Sequence, residues 1–427
     1  MPIIRSDENK TKEGKLEFKS PLLERAWFFM PDGIRQTISS EPIIPAIAAK
    51  AKTIAASNPG FIRSDQGQVV GIFPENEIYY GPSAGLEELR DLVARFWTHA
   101  YHLNGKPGIS SQGLDKKNVA IVSGATEGLA IVMHLLAFQQ NVGLLPLYWS
   151  NYKGIIRNAG GNPIVIEFFD KDYKPNFKNI ERLVRAHKIT SLLLNFPNNP
   201  SGDVLTEEEM AELVELSRRL NLLIVSDEVY NFIRYKGEPQ SMLSFAPERT
   251  VVISSASKEY LIPGARVGYV LCAEDTFTNS WMPKMIRSFS SSPNVLGQRM
   301  LIDVLKDEVR DFENNHPPKI ISEIKRELKE RCRLVISILE EKGFVLAGRD
   351  EDFPSGAISV LVKLPEDIKV DDIAFVEKAM ELGKFSAVPA SVFGAPGCLR
   401  FGYAGMTQET LRRLPQNLQD VLDYFRK

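Results

Sequence analysis

Five short stretches of this 427-residue chain carry residue types that could do chemistry. The first is Ser254-Ser255-Ala256-Ser257-Lys258, an amine among small hydroxyl residues after an apolar run. Desolvation strips the proton from such an amine, and the neutral form can attack a carbonyl carbon. Eight residues on, Pro263-Gly264-Ala265-Arg266 supplies a permanently charged fork suited to phosphate. The pair reads as an aldehyde anchor beside a phosphate anchor, or as a surface Lys and Arg flanking a turn. The second is Ser226-Asp227-Glu228-Val229-Tyr230, after the apolar run 222–225. Carboxylates at the C-terminal ends of parallel strands face the ligand crevice. An aspartate there can keep a pyridine nitrogen protonated, although Asp-Glu after a strand also caps helices.

The third, Ser123-Gly124-Ala125-Thr126-Glu127-Gly128, reads as a tight turn from strand to helix whose free N–H groups could bind a phosphate. In the fourth, Asn195-Phe196-Pro197-Asn198-Asn199-Pro200-Ser201-Gly202, two X-Pro steps make a stiff, extended loop. One of its asparagines could bond a phenolic oxygen, or cap a turn. The fifth is Leu399-Arg400-Phe401-Gly402-Tyr403-Ala404. A lone arginine among apolar strand residues is costly to bury without a partner. That partner would be a substrate carboxylate held by two parallel bonds, or an internal Asp or Glu.

The elements that must position these residues follow from periodicity. Short apolar runs at 119–122, 142–145, 163–167, 191–194, 222–225, 251–253 and 267–271 read as strands. Their unbroken apolar character suits strands buried on both faces. Amphipathic stretches at 126–137, 152–158, 177–186 and 207–220 read as helices between them. Alternation of this kind predicts a mostly parallel sheet covered by helices. Residues 41–56 read as a helix with an alanine-rich face. Residues 83–101 read as a second, striped by Leu86, Leu89, Leu92, Val93 and Phe96. From 275 to 339 the pattern is helical, broken at Ser292-Pro293 and at His316-Pro317-Pro318. Beyond 340, strands at 358–362 and 399–401 and helices at 371–382 and 407–424 predict a smaller α+β domain.

Composition narrows the function. A net charge of −2 shows no basic excess of the kind nucleic acid or an acidic membrane face would require. No stretch reaches the ~18 apolar residues of a bilayer span. The three cysteines, Cys272, Cys332 and Cys398, are odd in number and form no CxxC, so neither a disulfide framework nor a metal cluster is expected. The N-terminal residues lack the apolar run of a signal peptide, and the expected location is the cytoplasm.

The five stretches occur together and in order. With its SxSK…PGxR-x-GY pattern the chain resembles the fold-type I pyridoxal-phosphate enzymes, in particular the aspartate aminotransferase superfamily (class I/II aminotransferases). The resemblance implies an α/β fold of the pyridoxal-phosphate-dependent transferase type, with a large seven-stranded domain and a smaller α+β domain. It implies an N-terminal extension with part of the small domain over 1–75, a cofactor-binding domain over 76–305 and a small domain over 306–427. It implies pyridoxal 5′-phosphate carried on Lys258, which also shuttles the substrate proton. Asp227 would pair with the ring nitrogen, and Tyr230 and Asn199 would bond the ring oxygen. Ala125, Thr126, Ser255 and Arg266 would hold the phosphate. Tyr148, in Pro146-Leu147-Tyr148, would stack on the ring. Arg400 would take the substrate α-carboxylate, with Asn199 and Gly67 beside it.

Tyr79-Tyr80-Gly81-Pro82…Gly85…Leu89-Arg90 resembles the segment whose tyrosine reaches the phosphate of the other subunit. A homodimer with Tyr80 crossing the interface is therefore implied. Here about a dozen residues, 68–78, stand where relatives usually place a helix, and Trp27–Met30 is expected over the site mouth or the dimer interface. The implied reaction is ping-pong transamination from an L-amino acid to a 2-oxo acid, most often 2-oxoglutarate in this superfamily. Cyclases, lyases, decarboxylases and amino-acid-oxidising enzymes of the superfamily keep the same motifs and stay open at this point. So does a non-catalytic cofactor-binding module. Arg35, Arg63 and Arg287 are candidates for a second cation facing a dicarboxylate, whereas Trp27, Phe28 and Tyr79 would suit an aromatic substrate.

Overall fold

The computed structural model describes residues 18, 20–40, 50, 53, 54, 56–58, 80–169, 175–349 and 353–427. Seven strands form the larger sheet: β1 (Val119–Val122), β2 (Asn141–Leu144), β3 (Asn162–Val165), β4 (Ile189–Asn195), β5 (Leu223–Asp227), β6 (Thr250–Ser255) and β7 (Gly268–Leu271). Their spatial order is β1-β7-β6-β5-β4-β2-β3. Neighbours run parallel from β6 to β3, and β7 runs antiparallel to both β1 and β6. β1, β5, β6 and β7 are buried along their whole length, as unbroken apolar runs in a helix-covered sheet require.

Register decides what meets at the sheet's edge. Asn195, the last residue of β4, lies beside Asp227, the last of β5, and Asp227 lies beside Ile253 of β6. The C-terminal ends of the three central strands therefore open on one crevice, where a parallel α/β sheet places its ligand. Glu207–Arg219, a helix on the outer layer, starts at a capping box between Thr206 and Glu209. Phe177–Ala186 ends within a residue of its amphipathic stretch, because its buried Ile180 and Val184 sit four apart on one face.

The smaller sheet holds β8 (Val345–Leu346), β9 (Ser359–Lys363), β10 (Val388–Pro389) and β11 (Cys398–Gly402), all antiparallel, in the order β10-β11-β9-β8. Helices Lys319–Glu341, Asp372–Glu381 and Gln408–Phe425 contribute to its core. The segment after β5 meets the loop before β9 through a bridge between Arg234 and Gly356 and through a pair of tyrosines. Tyr235 and Tyr403 share a hydroxyl contact of 2.8 Å, and both donate to the carbonyl of Ala357, at 3.0 and 2.7 Å.

The helical stretch expected over 83–101 runs from Glu87 to Ala100, because Gly85 takes φ +94° in a turn that a helix cannot include. Of the helix expected over 41–56, positions 50, 53, 54 and 56 are helical and the others lie outside the described residues, as does the segment 68–78. Two N-terminal helices, Pro21–Phe29 and Asp32–Ser39, precede them. Leu22, Leu23, Ala26 and Met30 are buried in the large sheet's core, and Trp27 packs on Trp281 with ring centroids 6.2 Å apart. Leu22→Ala should therefore cost about 2–5 kcal/mol of stability through an unfilled cavity. A fall in the thermal midpoint measures it; an unchanged midpoint would show that the helix contributes nothing to that core.

Candidate active site

Lys258 stands on the four-residue helix Ala256–Glu259 that continues β6. The Ser255 hydroxyl caps this helix by accepting the Ser257 N–H at 3.3 Å. On its far side, buried Glu259 accepts the hydroxyls of Ser254 and Tyr269, each at 2.7 Å. The lysine is thus fixed at its root while its amine faces a cavity of about 390 Å³. Burial lowers its proton affinity first, Arg400 and Arg266 lower it further, and Asp227 opposes them.

Arg266 closes one end of the cavity. It takes φ +50°, a left-handed backbone uncommon outside glycine, and so turns its side chain back over the β1 end. Its guanidinium donates to the carbonyls of Pro263 and Ser123, at 3.1 and 3.3 Å. Gly124 makes this approach possible: a Cβ there would lie 2.5 Å from the Arg266 guanidinium. Gly124 also begins the helix Ala125–Leu136 without a capping side chain. Helix N–H groups and a guanidinium thus converge where an anion would sit.

Arg400, half-buried on β11, closes the other end. Its Nη1 donates to Asn199 Oδ1 at 3.0 Å, and its guanidinium lies 5.2 Å from the Phe393 ring centre. Its Nε is buried without a partner, a donor held ready for an incoming acceptor. Burial lowers the proton affinity of this arginine, opposed by nearby Tyr230.

Asp227 lines the same cavity from the end of β5. Burial raises its carboxyl to about 6, against a hydrogen bond from Tyr152, the Val229 N–H and Lys258. Tyr152 donates to Oδ2 at 2.6 Å, and the Val229 N–H reaches Oδ1 at 3.4 Å. Asn195 Nδ2 holds the Asp227 carbonyl at 2.9 Å, and Asn195 Oδ1 accepts the Asn199 N–H at 3.0 Å. Tyr230 beside them is pushed above the ordinary phenol range by burial and by Asp227, which keeps it a neutral donor.

Nine of the residues singled out from sequence line this one cavity: Lys258, Asp227, Tyr230, Ala125, Thr126, Asn199, Ser255, Arg266 and Arg400. Tyr148 does not. Leu147 adopts φ +59°, and after that left-handed turn Trp149 takes the wall while Lys153 lies over the Tyr148 ring at 4.6 Å. Tyr80 is 70% exposed and outside the cavity of its own chain. Gly67, Arg63 and Tyr79 lie outside the described residues. Of the two places expected for Trp27–Met30, the site mouth is not where Trp27 and Met30 sit: neither lines the cavity, because Met30 is buried in the large core and Trp27 packs against it. Arg35 pairs with Asp32 at 3.3 Å, and neither it nor Arg287 lines the cavity. Trp149 and Tyr152 are wall residues that sequence reasoning missed, and Asn195 joins the wall from the fourth stretch, where no role was fixed to it. A second aromatic three positions after Trp149, on a helical stretch, was the available signal.

Comparison with known proteins agrees with this geometry. Residues 72–418 match the family "Aminotransferase class I and II". The chain belongs to that family. Among its relatives, the aspartate aminotransferase of Bacillus subtilis is 26% identical over 86% of this chain and 94% of its own length. That of Thermotoga maritima is 27% identical over 92% and 99%. A crystal structure of an aspartate aminotransferase from Thermotoga maritima superposes with a TM-score of 0.69 over 91% of this chain and 99% of that one, at 27% identity. Class I/II aminotransferases use pyridoxal phosphate, and the residues present fit that group. An uncapped helix start under Arg266 suits its phosphate, a desolvated lysine its aldehyde and a buried aspartate its ring nitrogen.

A carboxyl raised above its unfolded value of 3.8 favours the fold while protonated, and that contribution is lost as pH rises through about 6. In the protein without ligand, Asp227→Asn should therefore stabilise the fold more at about pH 8 than at about pH 5, by the order of 1–2 kcal/mol, read as a larger rise in the thermal midpoint at the higher pH. An equal effect at both pH values would contradict a charged, buried Asp227.

Proposed function

We propose that this aminotransferase carries pyridoxal 5′-phosphate on Lys258. On this reading it moves the amino group of an L-amino acid to a 2-oxo acid in two half-reactions at one site. The observation that carries the reading is a single cavity whose wall holds a half-buried lysine, Lys258, two guanidiniums, Arg266 and Arg400, and the Asp227 carboxyl. Two fixed cations at opposite ends suit a phosphate at one and a carboxylate at the other. When bound, the cofactor supplies an aldehyde for the amino group and a ring that accepts the electrons left at the substrate Cα.

The chain's own residues do the rest. Arg400, on the cavity wall, would grip the α-carboxylate and so orient the substrate toward Lys258. The lysine amine, its proton affinity lowered by burial and then by Arg400 and Arg266, would take the proton from the substrate Cα and deliver it across the nitrogen to the carbon of the cofactor's former aldehyde. Asp227 holds the ring-nitrogen proton. Tyr230, and the amide of Asn199 left over by Arg400, donate to the ring oxygen. Ala125, Thr126, Ser255 and Arg266 take the phosphate. Trp149, which lines the cavity where Tyr148 does not, would face the ring.

We assign 2-oxoglutarate as acceptor on the family resemblance. The relatives named aspartate aminotransferases suggest a dicarboxylate donor. Among the described wall residues the cations are Lys258, Arg266 and Arg400, so a second carboxylate would be met by a group outside the described residues or from another subunit. Such a homodimer is part of this reading, with exposed Tyr80 reaching the partner's phosphate and Gly67 beside the substrate. So are a cytoplasmic location and the division at residues 75 and 305.

Adding each amino donor alone, without an oxo acid, should leave the aminated cofactor recoverable by chromatography. Release of ammonia instead would replace transamination with a lyase or oxidase. Lys258→Ala should abolish turnover. Arg400→Ala should lower kcat/KM for the donor by about 100- to 1000-fold, from two charge-assisted bonds lost. A decline below threefold would remove Arg400 from the carboxylate site.

A further inference from the structure

Tyr152 is 2% exposed, on the helix Asn151–Asn158, with its ring packed edge-on to Trp149 at 5.4 Å. A phenylalanine would fill the same apolar space. The hydroxyl is the part that packing does not require, and a buried hydroxyl without a partner is destabilising. It donates to Asp227 Oδ2 at 2.6 Å, the short range of a bond to a carboxylate. The other oxygen, Oδ1, has a long 3.4 Å contact from the Val229 N–H. One carboxylate oxygen is therefore committed, and the other is left for a ring nitrogen.

We propose that Tyr152 is a positioning residue for the reaction: its hydroxyl holds Asp227 ionised and orients Oδ1 toward the cofactor's ring nitrogen. This rests on the pyridoxal-phosphate reading above. Without the donor, a carboxylate sealed from water has lost its strongest neutral stabiliser and drifts toward its protonated form. A protonated Asp227 cannot hold a second proton on the ring nitrogen. Burial and Asp227 itself push the Tyr152 phenol well above its ordinary range, so it remains a donor throughout the working pH range.

The test is a double-mutant cycle on the full-length protein: wild type, Tyr152→Phe, Asp227→Asn and the double variant. Each is measured for pyridoxal phosphate affinity, for the pH midpoint of the bound cofactor's colour change, and for kcat and KM. In the wild-type background Tyr152→Phe should lower kcat about 10- to 100-fold, the range for one hydrogen bond to a charged group. The KM for the amino donor should stay within about twofold of wild type, since uniform binding is untouched. The colour midpoint should rise, because a less positive ring makes the lysine nitrogen harder to deprotonate. In the Asp227→Asn background the same substitution should change cofactor affinity and colour midpoint by less than about twofold, because the group it acts through is gone.

Equal losses in both backgrounds would reduce Tyr152 to packing and overturn the proposal, as would an unchanged kcat and midpoint in the wild-type background. If Tyr152→Phe fails to fold, fluorotyrosine at position 152, a stronger donor, should lower the midpoint, and a rise or no shift overturns it. Wild-type protein that takes up no pyridoxal phosphate would instead defeat the functional reading, and this inference with it.

Discussion

The site depends on one unfavourable placement: a carboxylate sealed from water at the end of β5. Ionised, Asp227 is costly there, and burial drives its carboxyl up to about 6. The surroundings answer that cost in kind. Tyr152 and the Val229 N–H donate to it, and Lys258 adds an opposite charge from the short helix after β6. The same cavity carries an excess of positive charge, with Lys258 facing Arg266 and Arg400 as well as Asp227. Two guanidiniums depress the lysine's proton affinity while one carboxylate supports it. Among the described residues, three cations against one carboxylate on this wall suit anionic groups such as a phosphate and a carboxylate.

Sheet topology puts these groups within reach of one another. Parallel strands end on the same edge, so Asn195, Asp227 and Ser255, far apart in sequence, terminate three adjacent strands. The antiparallel β7 brings the chain back so that the turn before it, with Arg266, meets the turn after β1 with Gly124. Gly268, opening β7, leaves no room for a side chain against the Ala125 N–H, where a Cβ would lie 2.7 Å away. A backbone this close to the helix start explains why that turn is built of small residues.

How much of this was legible follows from which constraint each residue obeys. Lys258, Asp227, Arg266 and Arg400 stand out in sequence because charged groups inside apolar strand patterns need a reason to be there. β1, β5, β6 and β7 are legible as runs buried along their whole length, whereas β3, Asn162–Val165, is an edge strand that is nowhere fully buried, against the expectation of burial on both faces. β8 and β10 are two residues each and carry no pattern; pairing with β9 and β11 creates them. Tyr148 and Trp149 are adjacent aromatics, and the left-handed backbone at Leu147, a tertiary effect, decides which of them meets the cavity. Tyr152 reads as an ordinary buried residue of an amphipathic helix, because nothing local reveals that its hydroxyl reaches a carboxylate 75 positions away.

A single hydrogen-bonded ribbon joins the two ends of the site. The Asp227 carbonyl is held by Asn195, Asn195 holds the Asn199 backbone, and the Asn199 side chain holds Arg400. Three links carry position from the centre of the large sheet to the middle of the small one. The loop between them is braced by Asn198, which donates to the Leu147 carbonyl at 3.1 Å and accepts the Ser201 hydroxyl at 3.0 Å. Gly202 then passes so close to Gly356 that a Cβ would meet its carbonyl at 2.7 Å. A stiff loop is what such a ribbon needs. Any slack in it would let the arginine that grips a carboxylate drift relative to the aspartate that grips a ring, and misplacement by an ångström at a reacting centre costs about 100-fold in rate. The Asn-Pro-rich composition of residues 195–202 is therefore a consequence of the distance the chemistry has to keep constant.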